Sequence, residues 1–145
     1  GRFRYFAART GRGVLRKIST VNLLLDTHTL IWALADNPEL AAAAREAIID
    51  GNNIVFVSAV SVWEISIKKA LGKFDAPDTL LEEIERHRFT PLEIALEHAD
   101  RAGRLPPIHL DPFDRMLIAQ AQSEQLTLVT RDSEIQKYAV HCLVA

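Results

Sequence analysis

Short apolar runs alternate along the chain with longer segments whose apolar residues recur at helical spacing. The run "VNLLLD" has the character of a strand buried on both faces, and it ends on Asp26. A helical pattern then runs from Thr27 to about 35 and is broken by "DNP" at 36–38, where Pro38 can open a second helix that stops at Gly51. "NIVFV" at 53–57 is rich in β-branched residues and predicts another strand. A helix follows, opened by Ser58 or Ser61 and closed by Gly72, and the next is predicted from Thr79 to His87, with Thr79 and Glu82 as a capping box. Residues 89–92 read as a brief strand and 94–102 as a helix ending at Gly103. The loop "RLPPIHL" leads to "DPFDRMLIAQA", a helix with Asp111 at its N-cap and Pro112 in its first position, continuing to about 125. "TLVT", a short helix begun by Asp132, and "VHCLV" complete the pattern.

Strands separated by helices at these intervals predict an α/β domain, a mostly parallel central sheet with helices on both faces. Sites in such sheets form beyond the carboxyl ends of the strands, where strand order reverses. No internal repeat or linker interrupts 21–145, which reads as one domain.

Charge changes the picture at one end. The first 20 residues carry six Lys or Arg and no acid, so of 17 basic and 19 acidic groups the rest keeps 11 and 19, a net of −8. This basic leader reads as a nucleic-acid arm, an Arg-rich targeting peptide, or a disordered tail or start-site artefact, the last because Val21 is what a GTG start codon inside a longer frame would encode. An acidic body argues against simple electrostatic binding of nucleic acid unless bound cations reverse the sign locally. One cysteine, Cys142, excludes a disulfide framework or a zinc–thiolate cluster and favours a reducing, cytoplasmic setting. No apolar run is long enough for a membrane-spanning helix.

The acids fall in a pattern. Asp26 directly follows the first strand, Asp132 lies two residues after "LVT", and Glu64 is in the first turns of the helix after the second strand. Asp114 is in the first turn of a helix that must run antiparallel to the "TLVT" strand, which puts its N-terminus at the same carboxyl rim. Two unit charges about 4 Å apart repel by roughly 4 kcal/mol at an effective dielectric near 20. Several such pairs compete with a domain's whole margin of ~5–15 kcal/mol. A cation among them resolves the conflict, and an oxygen donor set without cysteine favours Mg²⁺ or Mn²⁺, whose chemistry at phosphate is metal-assisted phosphodiester hydrolysis. Each acid also has a plainer role: Asp26 and Asp132 as caps, Glu64 as a capping-box partner of Ser61 or an ion-pair partner of Lys68, Asp111 as a cap. His28 and His109 are candidates for the metal shell or hydrogen-bonded neighbours, Thr130 for orienting the attacking water, and Arg131 for holding a phosphate. Trp32, Trp63 and Phe113 read as core or interface aromatics.

"NLLLDTHTLIWAL", "VSAVSVWEISIKKALGKF", "HLDPFDRMLIAQA" and "LTLVTRD", in this order and spacing, resemble the PIN-domain ribonuclease toxins of VapBC toxin–antitoxin systems. The resemblance covers residues 22–145 and none of the leader. It implies a PIN fold, an acidic quartet at Asp26, Glu64, Asp114 and Asp132 that binds Mg²⁺ or Mn²⁺ and cuts RNA, a homodimer, and a cognate antitoxin covering the active site. Asp111 belongs to the "HLDPFDR" motif as a capping and supporting residue. Two alternatives are a catalytically silent relative that only binds its antitoxin and a Mg²⁺-binding receiver-type module. The receiver reading expects paired acids after the first strand and a lysine after the last, and "DTH" and "HCLV" provide neither.

Overall fold

The computed structural model describes residues 2–6 and 16–145. Arg2–Phe6 (β1) and Arg16–Thr20 (β2) pair antiparallel, Arg2 opposite Thr20 and Phe6 opposite Arg16, in a two-stranded ribbon separate from the main sheet. The sequence pattern predicts no regular element in this leader, and its remaining residues, 1 and 7–15, lie outside the described residues.

The main sheet consists of Asn22–Leu25 (β3), Ile54–Ser58 (β4), Thr90–Leu92 (β5), Thr127–Thr130 (β6) and Cys142–Val144 (β7), in the order β5-β4-β3-β6-β7. Every pairing in it is parallel. The helices are Thr27–Leu34 (α1), Ala42–Ile49 (α2), Ala59–Ala70 (α3), Leu80–Arg86 (α4), Leu96–Arg104 (α5) and Pro112–Glu124 (α6). None of the described helices is long and apolar enough to cross a membrane.

Side-chain alternation along the central strands sorts the core into two layers. Leu23, Leu25 and Val129 pack with Leu30 and Ala44 of α1 and α2 on one face, while Leu24 and Leu128 pack with Ala102 of α5 and Leu117 and Ile118 of α6 on the other. The α/β expectation with helices on both faces holds. Because β3 is central and covered twice, all four of its residues are buried, which is why its sequence lacks the alternation of a half-exposed strand.

A helix start and two capping boxes depart from the sequence pattern. The second helix begins at Ala42 rather than Pro38, because 38–40 form a turn and no side chain caps the helix. Ser58 caps α3 by accepting from the Val60 N–H at 3.0 Å, which leaves Ser61 and Glu64 inside the helix and dissolves the Ser61–Glu64 capping box. Thr79 stands at the N-cap of α4 without a side-chain hydrogen bond, so the Thr79–Glu82 box does not form either.

Strand order reverses between β3 and β6: the chain leaves β3 toward β4 on one side and reaches β6 only later on the other. The backbone extends this pairing by one residue, the Asp26 N–H donating to Val129 O at 3.1 Å. Asp26 is therefore seated at the crevice that this topology creates.

Candidate active site at the carboxyl edge of the sheet

The acids of the β3, α3, α6 and β6 motifs meet in one cleft of ≈ 430 Å³ lined by Asp26, Glu64, Asp111, Asp114 and Asp132, together with Thr27, His28, Thr29, Trp32, Lys68, His109 and Arg131. Thr130 is not among the lining residues. Its side chain is fully buried and its hydroxyl accepts from the Asp132 N–H at 3.0 Å, so it shapes the turn that carries Asp132.

Three of the aspartates are pinned in the same way. Asp26 Oδ1 accepts from the Thr29 N–H at 2.9 Å, Asp111 Oδ1 from Phe113 at 2.8 Å and Asp114 at 3.2 Å, and Asp132 Oδ1 from Glu134 at 2.7 Å and Ile135 at 3.3 Å. Each spends one oxygen on the N–H groups of the turn it begins. Capping and site formation are thus one arrangement: the backbone holds the first oxygen, and the carboxylate cannot rotate away from the cleft.

Glu64 is held differently. It is buried, with Oε1 accepting from the Thr27 hydroxyl at 2.5 Å and Oε2 paired with Lys68 one helical turn later. Thr27 Oγ1 also lies 3.2 Å from Ser61 Oγ, whose hydroxyl can donate to it, and this ties α1 to α3 beneath the cleft. Burial alone would lower the Lys68 pKa, but the hydrogen bond and charge of Glu64, aided by Asp111 and Asp114, raise it, and the ammonium stays charged.

Asp114 is shifted most, by burial and by the acids around it. Its pKa is raised to about 7, first by burial and then by the charge of Asp111, with Asp26 and Glu64 adding and His109 opposing. His109 Nε2 lies 2.9 Å from Asp114 Oδ2 and 3.2 Å from Asp132 Oδ2. One donor atom from each of these three residues falls within 4.8 Å of the others, the spacing at which a single cation can be shared. The donor set, carboxylate oxygens with one imidazole at the rim, fits a hard divalent ion such as Mg²⁺ or Mn²⁺, and the raised Asp114 pKa reflects first its burial and then the acids around it.

The remaining candidates have defined places. His28 is exposed at the rim, edge-on to Phe74 at 5.2 Å. Arg131 stacks over Trp32 at 4.5 Å and donates to Ala145 O at 2.9 Å and to Glu39 O, so its guanidinium is already engaged within the chain. Trp63 is 60% exposed and meets Phe113 edge-on at 5.3 Å, beside the cleft and outside the core.

Sequence reasoning passed over Arg115. Its guanidinium donates to the carbonyls of Ala102 (2.8 Å), Leu105 (2.9 Å), Pro106 (3.0 Å) and His109 (3.2 Å), clamping the loop that delivers His109. The available signal was its position directly after Asp114 in a helix whose N-terminus faces that loop. A charge one residue from a site acid could equally be solvated, and four carbonyls converging on it is a property of the fold.

The PIN domain family model matches residues 23–141. Among solved structures, VapBC2 from Rickettsia felis bound to a promoter DNA fragment shares 14% identity at a TM-score of 0.64, covering 85% of this chain and 98% of that one. DNA-bound VapBC from Salmonella typhimurium shares 21% at 0.62, covering 85% and 97%. A toxin–antitoxin complex from Klebsiella pneumoniae shares 19% at 0.58, covering 84% and 96%. At these identities the likeness is one of fold. No curated protein matches the chain. With the family model covering 23–141, and with it all the acids that meet at the carboxyl edge of the sheet, this chain belongs to the PIN-domain family.

Proposed function

We propose that this chain is a VapC-like toxin, a divalent-metal-dependent endoribonuclease of a toxin–antitoxin system acting in the cytoplasm, with residues 21–145 as the catalytic domain. PIN domains are in general nucleases, and the fold is shared with VapBC complexes, which supports the assignment of class. The observation that carries it is the convergence of five carboxylates from four separated segments on one cleft, with Asp114 pushed up to about 7.

Asp26, Asp114 and Asp132 would hold the ion, and Glu64 would complete its environment from the seat made by Thr27 and Lys68. A divalent ion bound there supplies activation of water and neutralisation of charge on the phosphodiester. The chain's own part is to hold these acids without reorganisation: each aspartate of the β3 and β6 turns is fixed by a backbone N–H, and Thr130 acts as a positioning residue through the Asp132 N–H. His109 holds Asp114 and Asp132 together, and Asp111 caps the helix that presents Asp114. A cognate antitoxin that covers the cleft, a homodimer, and RNA as substrate belong to the same reading.

Incubation of the purified protein with defined single-stranded RNA, with Mg²⁺ or Mn²⁺ and with EDTA, tests it. Cleavage at internal phosphodiesters that EDTA abolishes is expected. Metal-independent cleavage, or none under any divalent ion, overturns it.

A further inference from the structure

The metal reading just given leaves open how many ions the cleft takes, and Lys68 bears on this. A lysine four residues after a glutamate on a helix is ordinarily a solvated surface pair of small energetic weight. Lys68 is placed otherwise. Its partner Glu64 is 4% exposed, and the lysine itself lines the acidic cleft. Its Nζ lies 5.1 Å from the centre of the Phe74 ring and 5.7 Å from that of Phe113, so two aromatic rings flank the ammonium while a carboxylate faces it. Four methylenes and two rings hold the charge inside the site.

The donors of the cleft are engaged in two different ways. On one side donor atoms of His109, Asp114 and Asp132 converge within 4.8 Å, room for one cation. On the other, both oxygens of Glu64 are taken by donors of the chain, Thr27 and Lys68. Sites that use a pair of divalent ions place them about 3.5–4 Å apart, each with free carboxylate oxygens. At Glu64 the positive charge is already supplied by the Lys68 ammonium.

We infer that Lys68 is the permanent second cation of this site: the chain binds one divalent ion, and the Lys68 ammonium neutralises Glu64 and receives a phosphate oxygen where a two-ion nuclease would place its other metal. A lysine acts on phosphate as a point charge, which suits this task.

Mn²⁺ titration followed by the electron paramagnetic resonance signal of the free ion counts the sites. The wild-type chain is expected to bind one Mn²⁺. Lys68→Met, which keeps the length and the aromatic packing but removes the charge, should bind two, or bind the second at least tenfold more tightly than wild type, and Lys68→Arg should stay at one. Two ions of comparable affinity in the wild type overturn the inference and leave the metal-dependent reading intact. So does an unchanged count and affinity in Lys68→Met. If circular dichroism shows that Lys68→Met does not fold, the wild-type count decides alone. A wild-type chain that binds no Mn²⁺ is a different failure: it removes the metal-dependent reading together with this one.

Discussion

His109 Nε2 lies 2.9 Å from Asp114 Oδ2, joining a loop residue to the first turn of α6 at the point where charge is most crowded. The same nitrogen is 3.2 Å from Asp132 Oδ2, and the Asp111 N–H points at His109 Nδ1 over 3.4 Å. A ring that accepts at Nδ1 and donates at Nε2 satisfies these contacts. In that form His109 partly offsets the repulsion between two acids on different elements.

The raised pKa of Asp114 has a consequence for stability. Its folded value of about 7 lies above the ordinary 3.8, so between the two the native chain binds more protons than the unfolded one. Stability from this group is full below about 3.8 and is lost as pH rises through about 7. The Tm of the metal-free protein, compared at pH 5 and pH 8, should fall by about 5 °C or more from this group alone. Asp114→Asn should remove that fall, and a variant with the wild-type slope contradicts the assignment.

Asp26→Asn should separate chemistry from folding. Asparagine caps a helix about as well as aspartate, so the contact to the Thr29 N–H survives and stability changes by about 0.5 kcal/mol or less. Ribonuclease activity should drop by at least about 100-fold, more than loss of an outer hydrogen bond to a metal ligand usually costs. Growth arrest on expression should disappear with it, and a folded variant that stays fully toxic refutes the role.

Thr27 and Glu64 make a buried contact that α1 and α3 both depend on. Thr27→Val should cost about 1.5–3 kcal/mol in urea unfolding, since the carboxylate Oε1 loses its 2.5 Å donor in a buried setting. Thr27→Ser keeps the hydroxyl and should lose less than half of that.

Asp111 and Asp114 should differ although they are three residues apart. Asp111→Asn retains a side-chain oxygen for the Phe113 and Asp114 N–H groups and should reduce cleavage less than about tenfold, whereas Asp111→Ala removes the cap at a cost of about 1 kcal/mol. Asp114→Asn should abolish cleavage in the same assay.

Arg115→Lys should fail to restore what Arg115→Met loses. An ammonium cannot reach four carbonyls arranged around a planar guanidinium, so both variants should expose the end of α5 and the loop after it, 102–110, to faster hydrogen exchange. Unchanged protection in Arg115→Lys would show the clamp to be dispensable.

Local chemistry written in the chain was enough for the strands, their parallel arrangement and the presence of acids at element ends: "NLLL" is apolar throughout because β3 is covered on both sides, and Asp26, Asp111 and Asp132 announce turns because their side chains bond the next N–H groups. The choice between Ser58 and Ser61 as the cap of α3, the turn at 38–40 that delays α2, and the pairing of Arg2–Phe6 with Arg16–Thr20 were not readable, since each depends on how flanking backbone packs and the propensities are nearly balanced. Thr130 shows the limit most plainly. Its spacing suits a group beside the reacting atoms, yet a fully buried hydroxyl bonded to the Asp132 N–H is decided by which side of β6 the strand's alternation turns inward. The i,i+4 pairing of Lys68 with Glu64 is legible in the sequence, but the two aromatic rings beside Lys68 and the Asp132 partner of His109, 23 residues away, are not, because only three-dimensional packing brings them to within a ring contact or a hydrogen bond.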